Sequence, residues 1–217
     1  MADPILFGAP YSVYVRIVRL ALAEKGVTYR IEEIDIFAPG GPPADYLARR
    51  HPFGRIPAFE HDGFRLYETG AIARYVDEAF AGPALQPSAP RGRARMNQIV
   101  SVLDNYAYRT LVWDIFVERV RAPAQGRQAD EAKIAAALPK ARICLAALSE
   151  LMGENPYLAG PNLTLADLHA APMLIYFHMA AEGVRLLGET PSLAAWLERM
   201  AGRSSSRATR SPMETAT

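Results

Sequence analysis

The periodicity of this chain changes once, between Phe80 and Pro90, and that change decides what it can fold into. The stretch AFAGPALQPSAP there holds three prolines and a glycine. Such residues interrupt helices and strands rather than extend them, so the stretch reads as a linker between two parts. Before it, short apolar runs alternate with helical patterns. After it, no convincing strand pattern appears.

In the first part Ile5–Phe7 is a short apolar run, read as a buried strand. Val13–Lys25 carries a helical pattern, with Val15, Val18 and Leu22 on one face and Arg16 and Arg19 on another. Gly26 stands where a helix-ending glycine belongs. Tyr29–Ile36 alternates as a strand should, the Pro- and Gly-rich Phe37–Pro43 is a loop, and Ala44–Arg50 fits a short helix. Pro57–Glu60 and Phe64–Tyr67 flank His61-Asp62-Gly63, and Asp-Gly between apolar runs signals a hairpin. A helix follows from about Thr69 to Ala79. The order β-α-β-α-β-β-α gives a small mixed sheet with helices packed on it.

The second part reads as helices throughout. Arg91–Val120 is one long pattern; Asp130–Met152 is a second, which Pro139 should kink or split. Thr164–Ala181 is a third, and Thr190-Pro191 opens a fourth with an N-cap followed by proline at the first helical position. The tail GRSSSRATRSPMETAT has no apolar pattern and is expected to be flexible over 204–217.

Composition narrows the partners. With 24 basic and 23 acidic residues the formal net charge is +1, so no broad field argues for nucleic acid. No apolar stretch is long enough to span a membrane and no secretory pattern opens the chain, so a cytoplasmic protein is expected. A single cysteine, Cys144, leaves no internal disulfide and no CxxC redox pair.

Three stretches hold groups that could do chemistry, and each also has a plain structural reading. Ser12 precedes a helix, where serine is a common cap; no sequence neighbour equips it as an acyl-transfer nucleophile. Ile56-Pro57 opens a strand, and the backbone at Ile56 could pair with the peptide bond of a ligand. Glu68-Thr69 stands where a strand passes into a helix. Thr69 could cap that helix, first-turn N–H groups could bind a carboxylate, and Glu68 could accept from an ammonium.

Taken in order, FGAPYSVYVRIVRLALAEKG, HPFGRIP, Glu68-Thr69 with GAIARYVDE, and YLAGPNLTLADLHAAP resemble the glutathione S-transferases over nearly the whole chain up to the tail. The resemblance implies a thioredoxin-like α/β N-terminal domain over 1–80 that binds glutathione. It implies an all-α C-terminal domain over 91–203 that contributes the electrophile pocket. Phe7-Gly8 stands where tyrosine-type members carry their phenol, and no cysteine precedes the first helix. The GAPYSVYVR stretch is most similar to the serine-type enzymes, the plant phi and tau classes or a related bacterial class.

By that resemblance Ser12 donates a hydrogen bond to the glutathione thiolate. Glu68 and Thr69 hold the γ-glutamyl end, and Ile56 with a cis Pro57 pairs with the cysteinyl peptide. Arg55 stands where phi-type enzymes often carry glutamine. The basic pair those enzymes use for the glycyl carboxylate has no clear counterpart in APGGPPADY, which leaves Arg55 or His51 as substitutes. Tyr11, Tyr106, Trp113 and Phe116 are the candidates for the electrophile pocket; the last two are spaced for one helix face, which is also how core residues are spaced. Thr164 and Asp167 match the family's buried capping element.

The implied protein conjugates glutathione, its co-substrate, to small hydrophobic electrophiles as a homodimer with no metal, with hydroperoxide reduction as a further activity open to it. Two alternatives stand beside it: a specialised glutathione-dependent dehalogenase or isomerase, and a non-catalytic binding or dimerisation module on the same fold.

Overall fold

The computed structural model describes residues 3–215, which divide into two compact units. One runs up to Leu85 and takes in the chain again from Ser204; the other is Gln86–Arg203.

The first unit is built on a four-stranded sheet, β1 (Ile5–Phe7), β2 (Arg30–Glu32), β3 (Ala58–His61) and β4 (Phe64–Tyr67), in the order β2-β1-β3-β4. β1 and β2 are parallel, and α1 (Val13–Glu24) makes the crossover that a parallel pair requires. β3 runs antiparallel to both β1 and β4. The β3–β4 turn is made at Asp62 and Gly63, with φ of 47° and 81°, the left-handed pair that a two-residue hairpin needs. α2 (Ala44–Arg49) precedes the hairpin and α3 (Thr69–Ala79) follows it. β2 is shorter than the alternation over Tyr29–Ile36 predicts, and its residues are exposed.

The core lies between the sheet and the helices: Leu6, Val15, Ile17, Val18, Leu22, Phe59, Ile72 and Val76 are all buried. A buried ion pair, Lys25 Nζ to Asp77 Oδ1 at 3.1 Å, ties the end of α1 to α3. Lys25 also donates to the Pro83 carbonyl at 3.0 Å, and Asp77 accepts from the Leu85 N–H at 2.8 Å. This fixes the path of the chain leaving the unit.

The expectation of a flexible tail fails here. The tail is ordered as α10 (Ser204–Ala208) and α11 (Pro212–Thr215), and Arg16, on a face of α1 apart from Val15 and Val18, is 1% exposed. One packing accounts for both. The returning tail packs on α1, its Ser206 carbonyl accepts from Arg16 at 3.2 Å, and Glu214 pairs with the same guanidinium. Arg19 donates to the Thr209 carbonyl at 3.3 Å, and Ser205 donates to Glu24. Ser205, Ser206, Thr209 and Ser211 are buried although none is apolar, which is why no hydrophobic period betrayed the packing.

The second unit is helical. α4 (Pro90–Val102) continues without a break into a π-helical segment, Leu103–Arg121, and the one-turn α5 (Ala122–Ala124). α6 (Glu131–Met152) remains a single helix through Pro139, started by Asp130, whose carboxylate accepts from the Lys133 N–H at 2.9 Å. α7 (Leu165–His178), α8 (Ala181–Gly188) and α9 (Pro191–Ala201) complete the unit. The sequence pattern merged the start of α8 into α7. Inside α8 a Cβ at Gly183 would lie 1.8 Å from the Phe177 carbonyl oxygen of α7, so only glycine permits that close approach.

Asp167 is the unit's polar anchor, fully buried on α7. One carboxylate oxygen accepts from the Thr164 N–H at 2.8 Å and the Thr164 hydroxyl at 3.0 Å; the other accepts from the Leu158 N–H at 2.8 Å and Trp196 Nε1 at 2.9 Å. Thr164 thus donates both its protons to Asp167, and the element joins the α7 start, the preceding loop and α9. Burial pushes the Asp167 carboxyl up, while the four donors pull it down. Among the described residues no helix is long and apolar enough to cross a membrane.

Candidate active site

The sheet brings the three sequence-predicted stretches of the first unit to one edge. β1 ends at Phe7, paired with Ala58 at the start of β3; Ala58 is paired in turn with Tyr67 at the end of β4. The next residues along each strand are Gly8, Pro57 and Glu68, so they follow that row directly. Two helices also begin here, α1 after Ser12 and α3 after Glu68. Helix N-termini carry unmatched N–H groups and partial positive charge, which suits an anionic ligand.

Ser12 is the N-cap of α1, with extended backbone, and is half-buried. Its hydroxyl oxygen accepts from the Val15 N–H at 3.3 Å. A hydroxyl that accepts in this way keeps its own proton to donate, so capping a helix and donating to a ligand are compatible. Gly8 makes the close approach possible: a Cβ there would sit 2.4 Å from Val15 Cγ2 and 3.5 Å from the Ile56 Cβ.

The Ile56–Pro57 peptide is cis, as the resemblance implies. Both residues are buried, whereas Arg55 is exposed. The loop before them is held by Tyr46 on α2, whose hydroxyl donates to the Arg55 carbonyl at 2.6 Å. Burial drives the Tyr46 phenol well above the ordinary tyrosine range, so it stays a donor at any working pH.

Glu68, not Thr69, is the N-cap residue of α3. Its carbonyl accepts from the Ala71 and Ile72 N–H groups, both at 3.0 Å, so the ladder starts one residue earlier than expected. Thr69 is the first helical residue and is buried. Glu68 has φ 72° and ψ 116°, a backbone state that costs a non-glycine residue about 1–3 kcal/mol. Strain of this kind concentrates where a side chain must be presented to a ligand, and the Glu68 side chain is exposed.

His51 is 2% exposed, with Nδ1 lacking a partner among the described residues and its ring centroid 5.0 Å from that of Tyr67. Burial pushes its pKa down, Glu68 opposes that shift and Arg55 adds to it. It is therefore a neutral neighbour of Glu68.

The aromatic candidates separate. The Tyr11 hydroxyl donates to Asp35 Oδ1 at 2.7 Å, and the same oxygen takes the Phe37 N–H at 2.9 Å, so Tyr11 is tied to the loop after β2. Tyr106 is 64% exposed and Trp113 half-buried. Phe116 is 1% exposed and stacks on Tyr176 at 4.4 Å and 14°. A π-helix turns less per residue than an α-helix, so Trp113 and Phe116 do not share a face as α periodicity suggests. The structure gives Phe116 to the core.

Comparison with known proteins identifies the family. The family models "Glutathione S-transferase, N-terminal domain" and "Glutathione S-transferase, C-terminal domain" match residues 6–84 and 131–199. Glutathione S-transferase F14 of Arabidopsis thaliana is 31% identical over 181 residues, covering 82% of this chain and 71% of that protein. The chain belongs to the glutathione S-transferase family.

Two solved structures add the fold and a ligand-bound relative. Glutathione transferase F2 from Populus trichocarpa superposes with a TM-score of 0.85 at 27% identity, over 95% of this chain and 96% of that one. Maize glutathione S-transferase I, solved with an atrazine glutathione conjugate, superposes at 0.83 with 25% identity and 96% coverage of each chain. The transferase's curated relatives include several of the plant F series, the serine-type phi class. Sequence reasoning missed Tyr46 and Asp35 in this transferase. Both act by holding loops, and only the folded chain shows which carbonyl or hydroxyl they meet.

Proposed function

We propose that this transferase is serine-type, with Ser12 donating its hydroxyl proton as a hydrogen bond to the thiolate of glutathione. The observation that carries the reading is the Ser12 hydroxyl at the start of α1, engaged as an acceptor from Val15 and so with its proton free to donate. In water a thiol of this kind has a pKa of about 8.5 and is roughly 3% ionised at neutral pH. Making most of it thiolate takes a shift of about 2 units, roughly 2.7 kcal/mol. A hydrogen bond to a charged acceptor supplies about 1.5–3 kcal/mol, and the helix N-terminus about 0.3–1 kcal/mol. No general base is needed. The thiolate sulfur attacks an electrophilic carbon, a carbon–sulfur bond forms, and the leaving group departs with its electron pair.

In this reading Glu68 accepts from the γ-glutamyl ammonium, and the Thr69 end of α3 receives the neighbouring carboxylate. The Ile56 backbone beside Pro57 pairs with the cysteinyl peptide, and exposed Arg55 receives the glycyl carboxylate. Tyr11, one residue before Ser12, is the aromatic group of this unit nearest in sequence to the sulfur ligand and would contact the electrophile. Tyr106 and Trp113 remain candidates from the helical unit. Glutathione must be a thiol where the enzyme works, which fits the cytoplasm. The aromatic pair Phe53 and Tyr67, 72% and 40% exposed with centroids 6.3 Å apart, fits a homodimer contact.

The test is glutathione titration followed by thiolate absorbance near neutral pH, in the natural protein and in Ser12→Ala. Bound thiolate in the natural protein and its loss in Ser12→Ala, with affinity within about threefold, is the expected result. Equal thiolate in both proteins would remove Ser12 from the mechanism, and no binding in either would favour the non-catalytic module.

A further inference from the structure

Tyr46 on α2 grips the loop before the cis peptide at both of its ends. Its carbonyl accepts from the Arg50 and His51 N–H groups at 2.9 and 3.1 Å, and its hydroxyl donates to the Arg55 carbonyl at 2.6 Å. Between these anchors the loop turns on the His51 carbonyl, which accepts from the Gly54 N–H at 2.9 Å. Gly54 has a φ of 61°, and a Cβ there would lie 3.2 Å from Leu47 Cδ2, on the same helix as Tyr46. The Tyr46 side chain is itself fixed: it is buried, with its ring centroid 6.5 Å from that of Phe7 at the end of β1.

The hydroxyl acts on one particular peptide group. The Arg55 carbonyl and the Ile56 N–H belong to the same peptide unit, which is planar and trans. In such a unit the oxygen and the hydrogen point in opposite directions. A donor that fixes the Arg55 carbonyl therefore also fixes the Ile56 N–H, aimed away from Tyr46. That N–H donates to no described residue and the Ile56 carbonyl accepts from none, although Ile56 is only 7% exposed. Buried backbone groups are nearly always paired. A donor and an acceptor left open beside a proline, which has no N–H of its own, are what the peptide bond of a ligand would complete. A hydrogen bond accepted by a carbonyl also polarises its peptide and makes the N–H a stronger donor.

We propose that Tyr46 is a positioning residue for glutathione, its hydroxyl holding the Arg55–Ile56 peptide so that the Ile56 N–H meets the carbonyl of the cysteinyl residue. The inference rests on the pairing of Ile56 with the cysteinyl peptide proposed above. Tyr46 acts through that peptide and not through the ligand. Burial keeps the phenol protonated, so the support it gives does not titrate over the working range.

Two ligands isolate the bond. γ-Glutamylcysteinamide has the cysteinyl carbonyl, γ-glutamylcysteamine lacks it, and neither has the glycyl carboxylate that Arg55 would receive. Calorimetry of the full-length natural protein should show the amide bound about tenfold more tightly than the cysteamine. In Tyr46→Phe, which keeps the ring, the amide should weaken about fivefold and the cysteamine should stay within about twofold. p-Aminophenylalanine at position 46 puts a donor back on the same ring and should restore most of the difference. Equal weakening of both ligands in Tyr46→Phe would mean that the residue serves only the shape of the loop. An unchanged difference would mean that the Ile56 N–H needs no support. Either result overturns the proposal. So does a folded p-aminophenylalanine protein with no preference for the amide, a result that stands even where Tyr46→Phe does not fold. A natural protein that binds the two ligands equally would instead remove the Ile56 pairing, and the role of Tyr46 with it.

Discussion

At the scale of single residues, the largest consequences sit on Asp167. Its two oxygens meet four donors, so the cost of a substitution follows from how many of them lose an acceptor. Asp167→Ala leaves all four buried and unmet. Asp167→Asn keeps one oxygen and places an amide nitrogen against the other pair of donors, so two are met. Each unmet buried donor costs about 1–3 kcal/mol, with incomplete additivity. Asp167→Ala should destabilise by about 3–5 kcal/mol and Asp167→Asn by about half as much. Urea denaturation read by tryptophan fluorescence orders the three proteins, and Trp196, itself a donor to Asp167, reports the change directly. The glutathione affinity of whatever folds should be unaltered. An Asp167→Asn protein as stable as the natural one would mean that the second oxygen carries no weight. The sequence showed the Thr164–Asp167 spacing, but not Leu158 and Trp196. Those arrive from a loop and from another helix, and no local pattern announces them.

Among elements, the ones legible in the sequence were those whose signal is local. α1, α3 and the Asp62-Gly63 hairpin each carry their own period, cap or turn residues. The π-helical segment does not, because π and α turns draw on the same residues. Beside the buried apolar residues of both elements, a polar cluster ties it to the start of α6. The Lys133 ammonium donates to Glu118 at 2.6 Å, and Glu118, 8% exposed, also takes the Asp130 N–H at 3.4 Å. The Lys133 hydrogen bond holds the Glu118 carboxyl below its ordinary value, against an opposing push from burial. With the folded pKa depressed, the unfolded chain binds more protons between the two values, so stability falls as pH drops through that window. The contribution is fully present above about pH 5, where unfolded glutamate is ionised; it begins to fade as pH falls through the unfolded value and is gone below the depressed folded value. Lys133→Met should cost about 1–2 kcal/mol at pH 7 and flatten the acid side of the stability profile. Thermal unfolding at pH 7, 5 and 4 measures both. A Lys133→Met protein that keeps the natural slope between pH 5 and pH 4 would place the acid sensitivity elsewhere.

For the whole molecule, the instructive feature is that the first unit is finished by the last residues of the chain. Apolar periodicity predicted a flexible tail because it registers only burial by hydrophobic side chains. This tail is held by carbonyls, hydroxyls and one carboxylate on the arginines and the glutamate of α1. That is the helix whose first cap is Ser12, and the Arg16 N–H bonds the Ser12 carbonyl at 3.0 Å. Glu214→Ala would leave the tail over Arg16 but strip its guanidinium of the carboxylate. Breaking a buried pair by removing one partner costs about 3–5 kcal/mol, which in a chain of this size lowers Tm by roughly 10 °C. Glu214→Gln should show a smaller part of that loss, since the Ser206 carbonyl and an amide oxygen remain. Replacing both partners, Arg16→Met with Glu214→Leu, removes the uncompensated charge, and should recover most of what Glu214→Ala loses. Differential scanning calorimetry of the three variants separates an electrostatic strap from simple packing. If the double variant unfolds as early as Glu214→Ala, the loss comes from packing and the unpaired charge on Arg16 contributes nothing.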